Sequence, residues 1–570
     1  MPTAIGACRE RMRLLARGDD GQQGLPNRAL PMASRIALAA LWVGLCLFLT
    51  GTLRAQEGVQ PAASRNTDVG AQLYGAGLDR QGQPVVARRA DGTVLRGADA
   101  ACISCHRASG LGTFEGAIRV PPVAWRLLSR SASQISRDRS VPHVLGFHPQ
   151  RPAYTVDTFA RAVREGIGAD GASLSWVMPR YQLDTATLED LRQYLASLTP
   201  GAPFGAERGE LVFAMVQDPA AESGQADAAA AVFQQAFADH NRQLGPTGQA
   251  RDAATLDVDR RWRLVRWPLQ GAAETWDQQL QAFAQRDQPL AMLGGVGRLD
   301  WSPIDQFATR TGVPLLWPSI PLPPRQPGAS SLYFQRGVLL EAALIADDVR
   351  AARAGAACRI VQVRPENPLA LAAANALRQA MGSDCSIEDR TWRKDLAADF
   401  GLQEGDFLVA WLVDADRVRW SDWKGTLPSR LYLSAEITGE EPALPPELRP
   451  LTRIATPWES PSRSRIAMNF PLGWLRSKNL PVTAMHVQTD AWLASEILKV
   501  SLKDMVDAYY PDYLLERMES VVGHRLANAH YPRLTLAPSQ HFGSKGGLLL
   551  QPDATGAWNP AGSWQVPALP

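Results

Sequence analysis

From Glu210 onward the chain alternates between two kinds of apolar pattern, and this constrains its fold more than any other feature. "ELVFAMVQ" is a continuous apolar run of strand length, and "DAAAAVFQQAFADHN" follows with helical spacing. "WRLVRWPL", "LAMLGGVG" and "VPLLWPS" are further strands, separated by "ETWDQQLQAFAQR" and "SPIDQFATRTG" as helices. The alternation continues through "CRIVQVRP", "PLALAAANALRQAMG", "CSIEDRTW" and "FLVAWLVD". Strands that alternate with helices build parallel β/α units with helices on both faces. One doubly wound sheet does not accommodate residues 210–552, so two lobes are expected. The chain has 59 Lys plus Arg against 57 Asp plus Glu, a formal charge of +2, which gives no bulk basicity for nucleic acid.

The N-terminus has a different character. The run from Ile36 to Thr50 is uncharged and apolar, follows Arg35, and ends in a short polar exit. It is shorter than a membrane span of about twenty residues and fits a signal-peptide core. Residues 1–55 are therefore read as a signal region, with Met32 as an alternative start, and 56–66 as a flexible lead. Export to the periplasm is the expectation, with membrane attachment only if this segment is not cleaved. Residues 67–198 form a first unit that ends in a helix, N-capped by Asp184 and carrying Leu188, Leu191, Leu195 and Leu198 at helical spacing. The Gly- and Pro-rich stretch 199–209 reads as a linker, and 553–570 as a C-terminal tail.

Of six cysteines, Cys8 and Cys46 fall in the signal region, which leaves two pairs. Cys358 and Cys385 each begin an expected strand, with one helix between them. Neighbouring parallel strands would bring them within disulfide reach, the alternative being two buried thiols. Cys102 and Cys105 lie in "GADAACISCHRASGLG", residues 97–112, immediately before His106. Cys-x-x-Cys-His is the attachment motif of c-type haem. One helical turn presents two thiols to the porphyrin vinyl groups and an imidazole to the iron on the same side. A redox dithiol or half of a zinc site are the competing readings of Cys-x-x-Cys. The first needs a thioredoxin-like βαβ context and the second more ligands nearby, and neither is found in this unit. The sixth iron ligand is expected from Met178, the one methionine of the unit, held in a loop by Pro179. His143 and His148 are the alternatives.

The first unit resembles class I cytochromes c. The resemblance rests on Cys102, Cys105 and His106, on "MPRY" around Met178, and on "DVGAQLYGAG" as a first helix that packs on the last one through Gly70, Tyr74 and Tyr194. It implies an all-α domain with one covalent haem c, ligated by His106 and Met178, with the carbonyl of Pro121 or Pro122 orienting His106. It also implies single-electron transfer with a periplasmic dehydrogenase, carrier or oxidase. With both axial positions filled, the chain is not read as an enzyme by itself. The larger unit resembles type 1 periplasmic binding proteins of the branched-chain amino acid and amide class, through the order of its elements and through "LAMLGGVGRLDWSPIDQFATRTGVPLLWPS". That resemblance implies a small organic ligand held between two lobes. The candidate residues are Gly295, Val296, Gly297, Asp300, Trp301 and Ser302, with Pro318 and Ser319, and Glu366, Asn367 and Asp414 from the opposite lobe. Free backbone N–H groups at the Ser302 helix start would hold a carboxylate, with Ser302 before Pro303 as its N-cap. The family's Ser or Thr is replaced here by "VGRLD", which argues against an ordinary amino acid. His524, His530 and His541 read as surface or satisfied core residues. The expected architecture is thus multidomain: an all-α cytochrome c domain, then a two-lobed α/β domain. A solute-binding or redox-sensing receptor, and an electron-accepting subunit of a dehydrogenase, remain alternative functions.

Overall fold

Gly70 sets the packing of the first part. It lies in the helix Val69–Ala76, and a Cβ there would stand 2.2 Å from the Asp190 carbonyl oxygen. Only glycine permits this approach to the helix Thr185–Ser197. One turn further on, the rings of Tyr74 and Tyr194 meet at 5.2 Å. Asp184 caps the second helix by accepting from Thr187 N, and Leu188, Leu191 and Leu195 are buried. The computed structural model describes residues 69–115, 118–135, 150–198, 209–244, 260–392, 400–413, 425–505, 508–523 and 529–568. The signal region, the flexible lead, His143, His148, nearly all of the expected linker, Asp414 and His524 lie outside them. Among the described residues no helix is long and apolar enough to cross a membrane.

The first part is not all-α, which corrects the expectation. Val86–Arg88 pairs antiparallel with both Val94–Arg96 and Arg180–Tyr181, and Thr113–Glu115 pairs with Ile118–Val120. The cause is local. Residues 86 to 88 alternate exposed, buried, exposed, and Asp91 turns the chain by accepting from Thr93 N, with Gly92 at φ 88°.

From Glu210 the expected alternation is realised as two sheets. The first has the order Ser331–Leu332, Leu315–Leu316, Ala291–Val296, Glu210–Gln217, Arg261–Pro268, with every pair parallel. The second runs Ser386–Thr391, Arg359–Arg364, Phe407–Ala410, Arg430–Ser434, Thr452–Thr456 in parallel. It is extended by Leu548–Pro552 and Trp558–Pro560 as antiparallel strands. The last of these lies in the stretch expected as a tail. Asp553 folds it back by accepting from Thr555 N and Ala557 N. Buried residues of the first part, among them Leu111, Ala124 and Leu127, belong to the same apolar core as Leu211, Phe213 and the helix Pro511–Val522.

Cys358 and Cys385 form the expected disulfide, with Cα atoms 4.8 Å apart at the adjacent starts of two parallel strands. The bridge closes a sequence separation of 27 residues. Replacing both cysteines by alanine is expected to cost about 3 kcal/mol through restored loop entropy of the unfolded chain. Thermal melts of the variant against the oxidised parent check this, and equal melting temperatures would contradict it.

Candidate functional sites

Two sites emerge. The first is a cavity of about 570 Å³ that brings together Cys102, Cys105, His106 and Met178, four residues expected from the sequence to act on one group. Cys102 precedes the single turn Ile103–His106, whose His106 N donates to the Cys102 carbonyl at 2.8 Å. The ring of His106 is buried, and its Nδ1 lies 2.9 Å from the Pro121 carbonyl, one of the two oxygens, of Pro121 or Pro122, anticipated for this role. That contact fixes the ring and leaves Nε2 for a ligand. Burial pushes the imidazole down to about 4, so it is neutral, the form that binds a metal. Neither thiol is in a disulfide, and burial pushes Cys102 up to about 12. Met178 is set by its N–H to the Ser175 carbonyl and by Arg180, whose guanidinium donates to the Met178 carbonyl. Phe159, Val163 and Leu174 supply apolar wall. Arg151 adds a cation at the wall, tied to the carbonyls of Leu127, Leu128, Arg130 and Pro152. Soft sulfur, a neutral imidazole, two thiols outside any disulfide and apolar walls are the donor set and surroundings that a covalent haem requires. Among the described residues, no group of three or more His, Cys, Asp and Glu side chains is arranged to hold a bare metal ion.

The second site is a cleft of about 280 Å³ between the two sheets of the larger part. Of the residues expected there, Gly297 and Ser319 line it, together with Pro318. The others do not. Gly295 and Val296 belong to the strand Ala291–Val296, with Gly295 at φ 130° where a Cβ would stand 2.5 Å from the Trp301 ring. Trp301 is fully buried, and its Nε1 donates to Asp218. Ser302 is not the N-cap: it is the first helical residue, and its N and Oγ both donate to Asp300. Asn367 caps the helix Pro368–Met381 by accepting from Ala370 N, beside Glu366 and away from the cleft.

The cleft is instead furnished by residues that the sequence reading passed over. Glu436 comes from the turn after Arg430–Ser434, Trp458 follows Thr452–Thr456, and His486 and Asp490 sit one turn apart on the helix Met485–Met505. The His486 ring stacks on Trp458 at 4.0 Å and faces Glu440 at 3.3 Å. Asp490 accepts from Ser319 Oγ at 2.7 Å, within the lobe of the first sheet, on which the helix Met485–Met505 packs. Behind it His530 is buried, with Nε2 3.1 Å from Asp490 and Nδ1 3.1 Å from Thr489 Oγ1. Glu436 accepts from Gln335 at 2.5 Å, and burial pushes it up to about 7. The i, i+4 spacing of His486 and Asp490 on one helix was the available signal.

No protein-family model matches the chain, and no curated protein matches it in sequence. Solved structures similar to it are substrate-binding proteins. A branched-chain amino acid ABC transporter protein from Thermus thermophilus with bound valine is 14% identical and covers 63% of this chain and 97% of its own, at a TM-score of 0.45. A solute-binding protein from R. palustris in complex with benzoate is 13% identical, with 63% and 97% covered and a TM-score of 0.43. A leucine-binding protein from Thermotoga maritima is 11% identical, with 62% and 98% covered and a TM-score of 0.42.

Proposed function

We propose that this chain is a periplasmic binding protein that carries its own electron-transfer group. The larger part holds a small organic ligand in the cleft between its sheets, and the first part holds one haem c. The observation that carries the second half is the convergence of Cys102, Cys105, His106 and Met178 on one apolar cavity. When bound there, haem supplies one-electron chemistry, and ligation by His106 and Met178 leaves it no open position. Cys102 and Cys105 anchor the ring, and the Pro121 carbonyl keeps His106 in the tautomer with Nε2 free. The reading is of a binding and electron-transfer protein, with a periplasmic dehydrogenase, carrier or oxidase as redox partner and no catalytic role of its own. The cleft lining supports the ligand-binding half: His486 and Asp490 come from a helix packed on the first sheet, and Glu436 and Trp458 from turns that follow strands of the second.

The test is a visible spectrum of the exported protein with a pyridine haemochrome assay. One haem of c type per chain is expected, along with a Met–iron band at the red edge of the oxidised spectrum that Met178→Ala removes. A protein exported without covalent haem overturns the electron-transfer half and leaves the cleft as the guide to function.

A further inference from the structure

The cleft's own chemistry specifies the class of its ligand, on the reading that the cleft is a binding site. The donors expected to receive a ligand carboxylate are already occupied by the chain's own carboxylates. Asp218 accepts from Leu299 N at 2.9 Å, from Trp301 Nε1 at 3.1 Å and from Ala220 N at 2.8 Å. Asp300 takes both Ser302 N and Ser302 Oγ. Arg298, the guanidinium at the cleft, pairs with Glu222 at 2.6 Å. The Ser319 hydroxyl is given to Asp490. An anionic group entering here would have to displace an internal carboxylate at each of these donors.

The opposite wall has surplus negative charge. His486 is matched by Glu440, and Arg298 by Glu222. The positive charges that reach Asp490 and Glu436 are His486 and Arg298, and each of these is already paired with another carboxylate. Asp490 is 4% exposed, and the group nearest its Oδ1 is His530 Nε2 at 3.1 Å, outside good hydrogen-bond geometry. Its closest ring, His530, is kept neutral by burial, so it brings no positive charge. Beside it, Glu436 accepts only from the neutral Gln335 amide, and its N–H donates to the fully buried Glu341. A buried carboxylate without a counter-charge is costly, and a cation brought by a ligand removes that cost. Trp458, Tyr531 and Phe334 line the same space, and aromatic side chains favour organic cations.

We infer that the cleft binds an organic cation, an amine or quaternary ammonium compound without a carboxylate, with Asp490 as its counter-charge and Trp458, Tyr531 and Phe334 around its apolar portion. Isothermal titration of the full exported protein at low salt and pH 7 tests this with benzylamine, benzoate and benzyl alcohol, which share a ring and differ in charge, and with zwitterionic leucine. Benzylamine is expected to bind at least tenfold more tightly than the other three. Asp490→Asn, which keeps the side-chain shape, is expected to lose at least tenfold in benzylamine affinity, and Glu436→Gln to lose several-fold. The ranking in the parent protein and the Glu436→Gln result stand even if Asp490→Asn does not fold. Tighter binding of benzoate, benzyl alcohol or leucine overturns the cation assignment and leaves the cleft a binding site. No binding of any of the four overturns both readings.

Discussion

Exchanging Cys102 and Cys105 together for alanine is expected to yield an exported chain with no haem stain after denaturing electrophoresis and a lower melting temperature. Both sulfurs line the cavity that also presents His106 and Met178, and neither thiol is in a disulfide. Thioether bonds are the only link proposed here that survives denaturation, so their loss is read directly by the stain. The stability change has a separate cause. A cavity of about 570 Å³ with apolar walls loses dispersion contacts on every side when it holds nothing that fits it. The competing reading of the pair as a redox dithiol predicts the opposite electrostatics. An attacking thiol has its pKa lowered by a helix N-terminus or a nearby cation, whereas burial raises that of Cys102. Haem stain retained in the double variant, or a parent protein without any, would sink the attachment assignment. His106→Ala separates anchoring from ligation: the ring should stay covalently attached while the spectrum loses its low-spin character.

The sequence carried the order of elements well and the contents of the cleft poorly, for identifiable reasons. Strands such as Glu210–Gln217 and Arg359–Arg364 are buried on both faces, so their apolar runs are continuous and hard to mistake. Cys102, Cys105 and His106 stood out by their short spacing and Met178 as the one methionine of its unit, and the structure places all four on one cavity. The short strands of the first part were missed because three residues give too little period to register. The glycine turn misled for a different reason. Gly295 and Gly297 do mark a close approach, but what approaches is Trp301 and Asp218 from the same chain, not a ligand. Asp218 follows the strand Glu210–Gln217, 83 residues from Trp301, and nothing local reveals that it fills the donors of the later turn. The residues that do line the cleft come from eight separated segments of the chain, and only the fold assembles them. "HVQTDAWL" held a clue, since Gln488, Thr489 and Asp490 are consecutive polar residues that the structure buries in a helix.

Raising the pH from 5 to 9 is expected to destabilise the protein, and Glu516→Gln is expected to remove much of that loss. Glu516 lies on the helix Pro511–Val522 and reaches into the loop that follows His106, where Ser109 N and Ser109 Oγ each donate to it at 2.7 Å. The same loop is held by Arg107, which pairs with Glu519, and by the Tyr74 hydroxyl, which donates to the Arg107 carbonyl at 2.6 Å. Burial pushes Glu516 up to about 8, against the donors from Ser109 and the charge of Arg107. A carboxyl raised in this way keeps its proton in the folded protein while the unfolded chain has lost it. Its contribution is therefore fully present below about pH 4.5, declines as the pH rises, and is lost through about pH 8. The Ser109 hydroxyl can accept from the protonated form, so glutamine, which is neutral at every pH, fits the same place. Melting curves should show parent and Glu516→Gln close together at pH 5 and apart at pH 9, with the variant the more stable. Glu516→Ala should cost about 2–3 kcal/mol at pH 5 by leaving the buried Ser109 donors unsatisfied. Parallel pH profiles for parent and Glu516→Gln would show that this carboxyl is ionised in the folded protein. The consequence reaches beyond stability, because the helix bearing Glu516 packs on Met485–Met505, which carries His486 and Asp490. Raising the pH therefore places a buried negative charge on a helix that touches both the loop after His106 and the helix that forms part of the cleft wall.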